Sequence, residues 1–214
     1  AMGWNVTVPA SSTRVIVLHT GSSFTVPGSS TNLIALGRDN TITAGLPDLT
    51  VVGHDNTIYG ASDLIAIGRQ STVGAAGTDF DLIGMGHDVI VSGQSSVSIG
   101  HNSSAVGDQA VALGDTAAAR KLTVAVGYNA QTPNANSGNV AVGPNSVAGN
   151  AAQVVYPAAG ASFDNLALGD TCVAGTGTGR ATETIAIGGF AFAGQCASGG
   201  GIAADCIAIG DGCA

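Results

Sequence analysis

The chain has 214 residues, a formal net charge of −8 and only 9% charged residues, with 33 glycines and 4% aromatics. Six basic residues are too few to coat a phosphate backbone, which argues against nucleic-acid binding, and no apolar run is long enough to span a membrane. A single glutamate, Glu183, and a single lysine, Lys121, leave little from which to build surface helices, so the composition points to small-residue β structure with tight turns.

Residues 1–31 open with Ala-Met-Gly, which reads as a cloning remnant on an excised fragment, and no basic and apolar leader follows it. Two segments here, WNVTVP (Trp4–Pro9) and SSFTVP (Ser22–Pro27), alternate apolar and polar residues and end in proline. That is the pattern of short edge strands, and it predicts an N-terminal β cap or connector holding the sole tryptophan, Trp4.

Residues 32–214 are dominated by a repeat. A short apolar segment ends in glycine eleven times, at Gly37, Gly53, Gly68, Gly86, Gly100, Gly114, Gly127, Gly143, Gly169, Gly188 and Gly210. By subtraction the spacing is 13 to 18 residues as far as Gly143, then 26, 19 and 22. The residue just before the glycine is always a large aliphatic, from Leu36 to Ile209, and the residue two before is alanine in eight copies, with Val51, Gly84 and Ser98 in the others. Strand side chains alternate faces, so one face carries large aliphatics and the other small residues, and both are apolar. The large set is expected to fill the interior of a coil, leaving the small face to meet another surface closely.

Polar residues follow each glycine, as in GRDNTI (Gly37–Ile42) and GHNSSA (Gly100–Ala105), and a second short strand comes after them. The unit is therefore strand, turn, strand, loop, which predicts an all-β parallel solenoid with two strands per coil. So thin a coil with a second apolar face is expected to oligomerise.

The first five copies place a basic residue directly after the glycine: Arg38, His54, Arg69, His87 and His101. Stacked coils would align them in one column able to bind an anionic partner such as an acidic glycan. The alternative is that they are turn residues paired with Asp39, Asp55 and Asp88. Long insertions over residues 145–165, 173–184 and 189–205 are the other recognition candidates. Tyr128, Tyr156 and Phe163 offer stacking surfaces for sugars, or pack loops against the coil.

Four cysteines, Cys172, Cys196, Cys206 and Cys213, fall in the last fifth of the chain, and none forms C-x-x-C, which argues against a zinc site. Cys196 and Cys206 could close a loop as a disulfide; otherwise all four are small buried thiols. No G-x-S-x-G or H-E-x-x-H element is present, and the glycine-rich Gly175–Gly179 leads into no helix pattern that would cradle phosphate. The expectation is a protein that is not an enzyme and uses no cofactor or metal.

The copies SVSIGHNS (Ser96–Ser103), NVAVGPNS (Asn139–Ser146) and TIAIGGFA (Thr184–Ala191) resemble the head repeats of YadA-type trimeric autotransporter adhesins. Similar rolls occur in bacteriophage tail fibres. The resemblance implies a left-handed parallel β-roll in which three chains pack around a common axis. It further implies a homotrimeric attachment fibre that binds a host-cell surface glycan or protein, on a phage tail fibre in the virion or on a bacterial outer surface. Cysteines, long insertions and the extra leucines Leu33, Leu49, Leu64 and Leu82 depart from the autotransporter pattern, and the cysteines, the insertions and the lack of a recognisable neck sequence favour the phage carrier. A polysaccharide-cleaving tailspike is a further alternative on the same scaffold.

Overall fold

The computed structural model describes residues 2–3, 6–7, 9–21, 24–25, 30–43, 47–59, 61–75, 79–133, 138–149, 164–175, 180–194 and 202–212. Trp4, Cys196, Cys213 and the insertion segments 150–163, 176–179 and 195–201 lie outside the described residues. The fold is an all-β parallel β-solenoid of about nine turns. It divides into two compact units, Ala1–Asp108 and Gln109–Ala214.

In the first unit one ladder runs, all parallel, through Met2–Gly3, Ile16–His19, Thr31–Arg38, Pro47–His54, Ala61–Arg69, Asp79–His87 and Val97–His101. A second parallel ladder joins Thr41–Ile42, Thr57–Ile58, Thr72–Val73, Ile90–Ser92 and Ser104–Val106. The main ladder thus begins before residue 32: Ile16–His19 pairs with Ile34–Gly37, and His19 takes a glycine's place in the register.

In the second unit the main-ladder strands shorten to three residues, at Val111–Leu113, Val124–Val126, Val140–Val142, Leu166–Leu168, Ile185–Ile187 and Ile207–Ile209. Val147–Ala148, Val173–Ala174 and Phe192–Ala193 form a second ladder. Two of the insertions also pair with each other: Arg180–Thr182 lies parallel to Ile202–Ala204.

The repeat sets the register in both units. Gly37, Gly53, Gly68, Gly86 and Gly100 sit on one another in succession. At Gly68 φ is +137°, and a Cβ would lie 1.7 Å from the Gly86 carbonyl oxygen, so no other residue fits. Two residues after each glycine the chain again takes positive φ, at Asp39, Asp55, Gln70, Asp88 and Asn102 in the first unit, with φ between 52° and 58°. Asn and Asp tolerate this conformation best, which is why the turns are rich in them.

Burial reverses the expected faces. Every residue two before the glycine is buried, including Ala35, Ala66, Ser98, Ala112, Ala141 and Ala186, whereas none of the large aliphatics one or three before it is. The small residues line the interior and the large ones point outward. The reason is space: a Cβ on Gly84 would lie 2.8 Å from Val73 Cγ2 and 3.1 Å from Val91 Cγ1, both on the second ladder. The space between the ladders is thus already filled by this column and the second ladder's valines, with Leu33, Leu49, Leu64 and Leu82 closing one corner, and the alternate positions face outward. Ile99 is 38% exposed as a result, and Ile207 and Ile209 are 65% exposed.

Candidate functional site

The ladder register brings the five predicted basic residues into one column. Arg38 pairs with His54, His54 with Arg69, Arg69 with His87, and His87 with His101. Backbone hydrogen bonds hold the turn after each one: the amides of Asp55, Gln70, Asp88 and Asn102 donate to the carbonyls of Arg38, His54, Arg69 and His87 at 2.9 to 3.1 Å. A parallel ladder repeats in register, so one side chain per coil becomes a row.

The row is partly neutralised by its own turns. Arg38 Nε lies 3.5 Å from Asp39 Oδ2, His54 Nδ1 3.0 Å from Asp55 Oδ2, and His87 Nε2 3.1 Å from Asp88 Oδ2. The positive φ of each Asp folds its carboxylate back toward the preceding residue. Such exposed pairs contribute about 0–1 kcal/mol each and leave the cation accessible. Arg69 differs, because Gln70 takes the place of the aspartate and no carboxylate pairs with Arg69 among the described residues. Its guanidinium donates to His87 Nδ1 at 3.3 Å. The pairings expected of turn residues are therefore present at Arg38, His54 and His87, and Arg69 is the least neutralised charge of the column.

The lower end of the column holds two histidines. The His87 and His101 rings stack with centroids 5.1 Å apart and planes 19° from parallel. His87 Nε2 also lies 2.8 Å from Gln70 Oε1, and Asn102 Nδ2 lies 3.3 Å from His101 Nε2. Together with the Asp88 carboxylate, these rings bring three candidate metal-ligating atoms within 4.8 Å of one another.

Tyr128 occupies the same repeat position in the second unit and is 58% exposed. Tyr156 and Phe163 lie outside the described residues. Sequence reasoning passed over Phe190, which is 59% exposed and held at φ 54°, where bulky side chains are rare. Its signal was available: it stands where other copies carry Asp, Asn, Gln, Thr or Gly. Gln70 was also missed, although it interrupts the Asp series at the same position.

Of the two described cysteines, Cys172 is a buried free thiol whose Sγ donates to the Ala186 carbonyl at 3.0 Å, and burial raises its pKa. Cys206 is half-buried, and its suggested partner Cys196 lies outside the described residues. Comparison with family models, curated proteins and solved structures finds no match to this chain.

Proposed function

We propose that this chain is part of a homotrimeric attachment fibre: a left-handed roll with two strands per coil, whose surface binds an anionic group on a host cell. The observation that carries this reading is the outer face of the main ladder. There the large aliphatics run unburied along the fibre, with a column of basic residues at the end of the same strands. A continuous apolar stripe on a rigid ladder is what a partner chain covers. Three copies around an axis bury it and present three basic columns.

Ligand recognition then rests on Arg38 and Arg69, with His54, His87 and His101 adding hydrogen bonds. The cysteines and the long insertions favour a phage tail fibre over an autotransporter head. Chromatography on a sulfated polysaccharide such as heparin tests the anion reading. The double variant Arg38→Ala/Arg69→Ala is expected to elute at markedly lower salt than wild type while keeping its oligomeric state. Equal elution removes the basic column from the function.

A further inference from the structure

We propose that His87, Asp88 and His101 form a binding site for a borderline divalent cation of the zinc class, a site that sequence reasoning did not anticipate. The ladder supplies the geometry. His87 and His101 are register partners on adjacent strands, so their rings are held side by side by backbone pairing rather than by loop conformation. Asp88 follows His87 at φ 55°, which brings its Oδ2 to 3.1 Å from His87 Nε2. Two donors that each sit about 2.0–2.2 Å from one ion are roughly 3 Å apart, so this pair already has chelating separation. His101 completes the set within 4.8 Å and, being exposed, closes the remaining distance by rotating its side chain.

The donor chemistry selects the ion. Two imidazoles and one carboxylate suit zinc, nickel or cobalt, whereas calcium and magnesium demand more oxygen ligands. Gln70 Oε1, 2.8 Å from His87 Nε2, or water can fill a fourth position.

The rest of the column confirms how local the feature is. His54 pairs with Asp55 in the same way at 3.0 Å, but its register neighbours are Arg38 and Arg69, which repel a cation. Only the step from His87 to His101 places two histidines in succession among the described residues.

Arg69 opposes the ion, and this separates the site from the anion reading. Its guanidinium donates to His87 Nδ1, which assigns the proton of neutral His87 to Nε2. Coordination through Nε2 moves that proton to Nδ1, where it meets the guanidinium, so Arg69 must swing away. Removing Arg69 should therefore weaken binding of a polyanion and strengthen binding of zinc.

Calorimetric titration of the full chain with zinc chloride, with calcium and magnesium chlorides as controls, tests the proposal. His101→Ala changes an exposed residue, and circular dichroism checks its fold, with His101→Gln as the second variant. Wild type is expected to bind one zinc ion per chain more than His101→Ala or His87→Ala, or to bind that ion at least about tenfold more tightly. Arg69→Ala is expected to bind it several-fold more tightly than wild type. Zinc isotherms for both histidine variants that match wild type overturn the site, as does equal affinity for calcium or weaker zinc binding by Arg69→Ala. Failure of the polysaccharide experiment leaves these outcomes unaffected.

Discussion

The two units solve one problem in opposite ways. Both keep the stacked glycines and the positive-φ turns, but they fill the coil differently. Four residues before the glycine, the first four copies carry Leu33, Leu49, Leu64 and Leu82 and the fifth Ser96, all buried, and three residues after it come Asn40, Asn56 and Ser71, then Val89 and Ser103. Here Asn56 Nδ2 donates to Asn40 Oδ1 at 3.0 Å, and the Ser71 amide donates to Asn56 Oδ1 at 3.1 Å. In the second unit the polar ladder moves to the other corner. Thr123, Asn139, Asn165 and Thr184 now stand four before the glycine, with Ala110 and Cys206 as the exceptions, while Ala117, Ala130, Cys172 and Ala191 stand three after it, with Ser146 as the exception. Asn165 Nδ2 donates to Asn139 Oδ1 at 2.8 Å, and Thr184 Oγ1 donates to Asn165 Oδ1 at 2.6 Å. The backbone path is thus fixed by the glycine and turn positions, and one interior corner in each unit is free to be a hydrogen-bonded ladder, provided every member is paired.

If the backbone requirement is common to both units, Gly68→Ala and Gly143→Ala should be equally severe. Their added Cβ atoms would lie 1.7 Å and 2.2 Å from the carbonyl oxygens of Gly86 and Gly169. Each is expected to cost more than about 4 kcal/mol in urea denaturation, or to prevent folding. The interior corners should then respond differently. Leu64→Ala is expected to cost about 3 kcal/mol through lost burial and a cavity. Asn165→Ala, at the matching position, is expected to cost about 2 kcal/mol by taking from the buried Thr184 hydroxyl and amide the Asn165 Oδ1 to which both donate. Asn165→Leu offers a stricter comparison: it should destabilise although it imports the first unit's residue, and a neutral result would show that the amide ladder is dispensable.

The smallest effect concerns an exposed acidic column. Five before the glycine stand Asp164, Glu183 and Asp205, each with φ between 54° and 56°. A hydrogen bond to Asp205, and then its negative charge, raise the Glu183 pKa from its ordinary value. A raised acid pKa favours the folded state at low pH, and that contribution is lost as pH rises through the folded pKa. Glu183→Gln should therefore melt slightly higher than wild type at neutral pH, and the difference should vanish below the carboxylate range. A difference that grows on acidification would refute the repulsion.

Much of this was legible in the residues. Column-wise glycine, with alanine two before it, is enough to infer a parallel ladder and to align Arg38, His54, Arg69, His87 and His101. The direction of the faces was not legible, because alternation says which side chains share a face but not which face is inside. That depends on the gap between ladders, visible only where Gly84 meets Val73 and Val91. The switch of the polar ladder was hidden for the same reason: an Asn in a turn and an Asn at a strand start both read as surface residues until their burial is known. The pairing of Arg180–Thr182 with Ile202–Ala204 escaped notice because three-residue strands inside glycine-rich insertions leave no periodic signal.

The proposed homotrimer rests on the outward aliphatic stripe, which the single chain leaves unburied. Sedimentation velocity on the purified protein tests it most directly. The account predicts one species at three times the 20.7 kDa of a single chain, persisting on dilution. A monodisperse monomer, with Ile99 and its companions facing water, would contradict it.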